Sequence, residues 1–318
     1  MGKTREVSWA SWQPLAGVPP LAPPVLAEIL DGGQAFRWHR ITPSDDAAAR
    51  SGLRSLGEAG WLGVWADRVA RVRLDVDGRI EWSAPETIVP RVATALPGYF
   101  AAENDFAALA DALPWRSDAH LAQCLAEFRG LRILRQPFGE TLLGFLCSAT
   151  KQIVQIKQML ALVAARHGEE IAPGLHRLPT WPELAAVPEA ELRACQLGFR
   201  ANFIHQTARF LAAHPGWLNE TEVLPYSAAK ERLCALPGVG EKIADCVLLF
   251  GAGKLEAFPV DTWILKTLAR RYGLDGWRPA PVAQFGRAHF GPLAGLAQQF
   301  LFAYERAAAG RSSRHGKK

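Results

Sequence analysis

A glycine-flanked turn, a lysine and an aspartate between Pro237 and Asp261 are residue types that could do chemistry together. Pro237-Gly238-Val239-Gly240 joins two segments of helical periodicity, and the connection is tight enough to need glycine on both sides of Val239. Such a hairpin points successive backbone N–H groups and the N-terminus of the second helix outward, a nest for a phosphate. Lys242 lies in the first turn of that second helix, where a cation opposes the helix dipole. A surface lysine gains nothing there; a partly desolvated one is a nucleophile. Nineteen residues later Asp261 follows Pro259-Val260 and opens DTWILKTLARRYG, an N-cap position. The dipole keeps an N-cap carboxylate ionised, which suits a group that must stabilise a developing cation. Taken singly, these residues read as a helix corner, a surface lysine and a plain cap.

The elements that must position them are of two kinds. AFRWHRI (Ala35 to Ile41) and WLGVWA alternate bulky and polar residues, and Val72, Leu74 and Val76 alternate with Arg73 and Asp75. Asp77-Gly78 then precedes Ile80-Glu81-Trp82. The alternation predicts strands, with Asp77-Gly78 a two-residue hairpin turn whose central positions both take positive φ. The Pro-rich first twenty-five residues are expected to run extended over a surface, and the stretch from about Ser44 to Gly60 to be a loop insertion with room for a short helix. After about Asn104 strand character disappears and helical periodicity takes over, from AHLAQCLAEF to a final GPLAGLAQQFLFAYERAA. Gly168 and Gly273 supply stops and Thr180 an N-cap. The basic tail RSSRHGKK is expected to be disordered. The fold class expected is α+β, an antiparallel sheet domain with flanking helices over residues 1–104 followed by a helical domain over 105–318.

Composition sets the bounds. A length of 318 residues allows about two domains and a sizeable core. With 49% hydrophobic and 21% charged residues the chain is no disordered tail, and no run of about 18 apolar residues exists to span a membrane. The N-terminus MGKTREVSWASWQPLAG lacks an apolar signal core, so a cytoplasmic protein is expected. A net charge of +5 suits a polyanionic partner without requiring one. Cys124, Cys147, Cys195, Cys234 and Cys246 are odd in number and widely spaced, which argues against disulfides, zinc and iron–sulfur clusters.

LPGVGEKIADC followed by PVD resembles the signature of the helix-hairpin-helix (HhH-GPD) DNA glycosylases, and specifically that of the 8-oxoguanine DNA glycosylases. GGQAFRW resembles the family's N-terminal signature, LRQPFGETLLGFLCSATKQI the helix leading to its strand-invading loop, LGFRANFI its wedge, and AGLAQQFLF its last pocket helix. Five segments stand in the family's order from about Leu26 to Phe302. The resemblance implies a bifunctional glycosylase/AP lyase with Lys242 as nucleophile and Asp261 as its electrostatic partner. An enzyme of this kind must flip its base out of the duplex and fill the gap. Lys242 and Cys246 are four apart on one helix, as are Gln298 and Phe302 on the last. Phe302 and Cys246 can cover the two faces of a flipped base while Gln298 reads its Watson–Crick edge. The resemblance assigns to Gly33 a backbone carbonyl that accepts from the lesion's N7–H and repels the lone pair of normal guanine.

The chain departs from the family at the duplex. Thr150, followed by Lys151, stands where an asparagine fills the gap, Gln155 where an arginine reads the orphaned cytosine, and Trp263 where a histidine often follows the aspartate. Phe199 replaces a tyrosine-like wedge, and Arg200 is retained. Gly238, Val239 and Gly240 are the expected phosphate clamp. No organic cofactor is expected; a structural K, Na, Ca or Mg ion at the carbonyls of Cys234, Leu236 and Val239 is implied. The partner implied is duplex DNA containing an oxidised purine, bound by a monomer. An alkylated-purine glycosylase on the same fold, which would lack the lysine, and a non-catalytic DNA-binding protein are the alternatives.

Overall fold

A computed structural model describes residues 7–41 and 60–315; the expected loop insertion from Ser44 lies outside the described residues. Five strands form one antiparallel sheet in the order β1-β5-β4-β3-β2. They are β1 (Gln13–Pro14), β2 (Trp38–Ile41), β3 (Gly60–Trp65), β4 (Arg68–Leu74) and β5 (Ile80–Ser83). Trp38 pairs with Gly63 in register, and a Cβ on Gly63 would come within 2.4 Å of the indole, so glycine is what lets Trp38 lie across the sheet. The indole stacks on Trp65 and donates to the Tyr99 hydroxyl at 3.0 Å. Tyr99 ends α2 (Val89–Tyr99), so one aromatic cluster fastens this helix to the sheet.

Four local expectations need correction, the last of them at the C-terminus. The Pro-rich segment is extended only in part, because Pro23 and Pro24 open α1 (Pro23–Asp31). Proline fits there, its missing N–H being one that a helix start leaves unpaired. The turn between β4 and β5 is longer than two residues. Gly78 alone has positive φ (79°), Gly78 N donates to Asp75 O, and the Asp75 carboxylate accepts from the N–H groups of Asp77 and Arg79. Asp75 thus builds a three-residue loop ending in a left-handed glycine. Two short strands, β6 (Glu170–Ala172) and β7 (Leu175–His176), interrupt the helical region where no strand was expected.

The helices of that region are α3 (Phe106–Asp111), α4 (Ala119–Glu127), α5 (Phe138–Leu146), α6 (Ile153–His167), α7 (Trp181–Ala186) and α8 (Glu189–Leu192). A π-helical turn at Arg193–Leu197 leads into α9 (Arg200–Ala213), α10 (Trp217–Val223), α11 (Tyr226–Cys234) and α12 (Glu241–Phe250). The chain closes with α13 (Thr262–Tyr272), α14 (Pro279–Phe290) and α15 (Ala294–His315). Thr180 caps α7 in a capping box with Glu183, as its position predicts. The expected disordered tail is helical as far as His315. Among the described residues no helix is long and apolar enough to cross a membrane.

Two features position the site. Helices α5 and α12 are buried along nearly their whole length and pack on each other, with Phe145 stacked on Phe250 at 5.6 Å. Gln34, fully buried beside the sheet, donates to Arg132 O at 3.1 Å and accepts from Leu134 N at 2.9 Å, while its own carbonyl accepts from Gln136 Nε2. These bonds lash the Gly32–Gly33 turn to the strand-like segment that leads into α5. One hydrophobic core runs continuously through the sheet and the helices.

Candidate active site

Gly33, Phe145, Lys242, Cys246, Phe250, Pro259, Asp261, Gln298, Gln299 and Phe302 line a single cleft. All six residues expected to handle the base and the chemistry are among them, drawn from the sheet side, from α12, from the start of α13 and from α15. Gly33 has φ +111°, and a Cβ there would meet Ile153 Cδ1 at 3.2 Å and Phe302 Cε1 at 3.7 Å. Both the backbone conformation and the close approach call for glycine. The neighbouring Gly32 carbonyl accepts from Arg306, whose guanidinium also lies 5.5 Å from the Phe302 ring centroid. Arg306 therefore ties α15 to the Gly32–Gly33 turn.

Lys242 sits half-buried in the first turn of α12, as its spacing from Gly240 predicts. Its Nζ donates to Ser148 Oγ at 3.2 Å and lies 5.2 Å from the centre of the Phe145 ring. One turn on, Cys246 is buried, and burial pushes its thiol up to about 12 despite the Lys242 charge beside it. It is a neutral packing surface rather than a thiolate. Asp261 is the N-cap of α13, its carboxylate accepting from Ile264 N at 2.8 Å. The expectation that the dipole holds it ionised is only partly met. Burial raises its pKa above the ordinary carboxylate value, while the Ile264 N–H and Lys242 pull it back. Removal from water outweighs the helix end here.

Gln298 and Gln299 are both buried, and Gln298 Oε1 and Gln299 Nε2 have no hydrogen-bond partner. Unpaired buried amide atoms cost about 1–3 kcal/mol each, which a ligand able to pair with them would recover. Gln299, Phe145, Pro259 and Ser148 escaped the reading by motif. The only local signal for Gln299 was a second glutamine on an otherwise apolar helix face.

None of the residues expected at the duplex lines this cleft. Gly238 has φ +77°, and a Cβ there would strike the Phe203 ring at 2.6 Å, so the hairpin needs glycine there; Gly240 is extended (φ −93°) with open space around a Cβ, so the expected need for glycine on both sides of Val239 holds only at the first. Val239 is buried beneath it. Gly240 offers α12 no side-chain cap, leaving first-turn N–H groups open to an external acceptor. Thr150 adopts a left-handed conformation (φ +55°), unusual for a β-branched residue. Arg200, buried, holds it there: its guanidinium donates to Ala149 O and, at 3.0 Å, to Thr150 Oγ1, and stacks on Phe199. Phe199 is 52% exposed and Trp263 is 40% exposed. Lys151 is exposed, and Gln155 accepts at Oε1 from Gln152 N at 3.1 Å, closing a capping box at the start of α6.

Comparison with known proteins bears on this geometry. A model of the 8-oxoguanine DNA glycosylase N-terminal domain matches residues 20–142, and one of the HhH-GPD superfamily of base excision DNA repair proteins matches residues 143–287. The chain is a member of the 8-oxoguanine DNA glycosylase family. Its relatives in that family include the Saccharomyces cerevisiae N-glycosylase/DNA lyase, 30% identical over 268 residues that make up 79% of this chain and 69% of the yeast one. The Arabidopsis thaliana N-glycosylase/DNA lyase OGG1 is 34% identical over 204 residues, 60% of this chain; the match spans 56% of that longer relative. Among solved structures, the Clostridium acetobutylicum 8-oxoguanine glycosylase/lyase, in complex with DNA containing cytosine opposite 8-oxoguanine, superposes with a TM-score of 0.78. It is 27% identical, with 92% of this chain and 93% of that one covered.

Proposed function

We propose that this glycosylase-family chain excises 8-oxoguanine from duplex DNA and then nicks the strand at the vacated site. The observation that carries the reading is the cleft itself: one lining brings together an amine, a carboxylate, an aromatic ring, a neutral thiol and two buried glutamines, each with an amide atom that lacks a partner. A base inside the duplex cannot reach it, so the nucleotide must be flipped out. Phe302 and Cys246 then cover the two faces of the base, Gln298 pairs with its Watson–Crick edge, and the Gly33 carbonyl accepts from N7–H. Normal guanine presents a lone pair at N7 instead, and two facing acceptors cost about 1–3 kcal/mol or more in a dry site.

Lys242 Nζ, as the neutral amine, forms a bond to C1′ as the C1′–N9 bond breaks; the electron pair leaves with the base, and the proton the attacking nitrogen sheds neutralises the departing base. Asp261 stabilises the positive charge that develops on the sugar, and does so strongly because the site is poor in water. The amine adduct opens to a Schiff base, which acidifies C2′–H. Loss of that proton expels the 3′ oxygen and cuts the strand. Outside the cleft, the open N–H groups around Gly238–Gly240 receive a backbone phosphate. Thr150, Lys151, Gln155, Phe199 and Arg200 occupy the gap and its rim. The carbonyls of Cys234, Leu236 and Val239 lie at the negative end of α11 and in the turn after it. Leu236 O keeps a lone pair free after accepting from Val239 N at 3.1 Å. Such oxygen donors suit a hard alkali or alkaline-earth ion, which would brace the hairpin.

The test is incubation with duplexes carrying either 8-oxoguanine or an alkylated purine, with and without borohydride. Base release, strand nicking and a covalent adduct trapped only on lesion DNA are expected. Release of alkylated purines without any adduct would instead favour the monofunctional alternative, and binding without release a purely DNA-binding role.

A further inference from the structure

We infer that Ser148 is a positioning residue for the Lys242 amine, and that it ties the nucleophile to the loop that enters the duplex. This rests on the glycosylase reading given above. Ser148 lies at the C-terminal end of α5, and its hydroxyl donates to Phe145 O at 2.7 Å. A serine hydroxyl has one proton, so with that proton committed its oxygen can only accept. What it accepts is an N–H of Lys242, at 3.2 Å. The bond runs from the first turn of α12 to the end of α5, across the packed interface of the two helices, and pins the end of an otherwise flexible four-carbon side chain. The Phe145 ring flanks the same amine, and Cys246 lies one turn along α12. The amine is thus held on protein-facing sides, leaving its remaining direction toward the cleft, where a sugar carbon would stand.

The two residues after Ser148 give this contact a second consequence. Arg200 grips the Ala149 carbonyl and the Thr150 hydroxyl, and Thr150 is held in a left-handed conformation. Three consecutive residues therefore carry the acceptor for the nucleophile, a backbone anchor and the side chain expected in the gap. When duplex entry moves Thr150, the displacement passes through two peptide units to the oxygen that holds Lys242. The loop reports its insertion to the amine.

Three proteins test this: the unmodified chain, Ser148→Ala and Ser148→Thr, compared in single-turnover excision at saturating enzyme, in borohydride trapping and in equilibrium affinity for a lesion duplex. Ser148→Ala should lose about tenfold or more in both excision and trapping, as expected when the hydrogen bond that orients the amine is lost, with affinity within about threefold. Ser148→Thr keeps both hydroxyl bonds and should recover most of the rate. Should Ser148→Ala fail to fold, Ser148→Cys, close in volume but a weak acceptor, is expected to show the same loss. Excision and trapping by Ser148→Ala indistinguishable from those of the unmodified chain overturn this inference alone. A loss in affinity with no loss at saturation overturns it equally. Absence of any adduct with the unmodified chain overturns the glycosylase reading, and this inference falls with it.

Discussion

In the proposed reaction Lys242 and Asp261 divide the work at the residue scale, and each can be removed without removing the other. Lys242→Gln keeps a polar side chain, one atom shorter, but has no nucleophilic amine. It should abolish both base release and borohydride trapping while duplex binding stays measurable; an adduct with this variant would mean that another amine attacks. Asp261→Asn keeps an acceptor for the Ile264 N–H, so α13 retains its cap. The carboxyl's pKa is raised by burial. A group raised in this way favours the fold below its unfolded pKa and loses that contribution as pH rises through its folded value. At neutral pH the amide should therefore melt at the same temperature as the parent or higher. Excision should fall by about 10²–10³-fold, the usual cost of losing a preorganised electrostatic partner. Parallel losses in melting temperature and rate would reduce Asp261 to a cap.

The joint between the sheet and α5 carries a second partly buried carboxyl, one to which no role was assigned from the sequence. Glu140 accepts from Ala66 N at 2.9 Å, in the turn between β3 and β4, and burial pushes its pKa up to about 7 against the pull of Arg37. The folded protein therefore holds a proton here that the unfolded chain releases at a lower pH. Its stabilising contribution is full below the unfolded value of 4.5 and is lost as pH rises toward about 7. Glu140→Gln resembles the protonated state at every pH. The gain in stability of this variant over the parent should thus grow between pH 5 and pH 8, by on the order of 3 kcal/mol. Chemical denaturation at the two pH values measures it, and any pH-independent effect of the amide cancels in the difference. A gap that does not widen would place Glu140 in contact with water. Since α5 also carries Phe145 to the cleft and leads into Ser148, which bonds Lys242, the same titration should be felt at the site as a modest loss of excision rate toward alkaline pH.

For the whole molecule, the surface proposed to meet DNA is built from elements far apart in sequence, and its selectivity depends on what each has left to offer. Gln155 stands where the family has an arginine, and its Oε1 is already engaged as a capping acceptor. What remains is a short amide donor, and every base carries an acceptor on its pairing edge. We expect a flatter dependence on the opposite base than arginine would enforce. A good bidentate base contact is worth about 1–3 kcal/mol, roughly 5- to 150-fold, so Gln155→Arg should restore part of a cytosine preference. Single-turnover excision opposite C, T, G and A measures this, and a steep preference for C in the unmodified chain would contradict it. Arg200 is held by Leu197 O, Ala149 O and Thr150 Oγ1 and is poorly placed to substitute.

What the sequence determined by itself is local. The period of apolar residues placed α5, α6, α12 and α13. Glycine required the turn at Gly238, Asp261 and Thr180 announced their helix starts, and four-residue spacing put Lys242 and Cys246 on one face. Each of these follows from backbone sterics or hydrogen bonding within a few residues. Short-range rules failed where a side chain rewrote the local choice, as Asp75 did by folding the β4–β5 loop around its carboxylate, and as burial did by overriding the dipole at Asp261. The tertiary structure alone decided that Gly33 meets Phe302 across most of the chain, that Gln299 is buried without a partner, and that Glu140 and Ser148 lie against Ala66 and Lys242. Those contacts depend on how α5, α12, α15 and the sheet pack together, and packing is settled by the shapes of surfaces distant in sequence, which no local periodicity records.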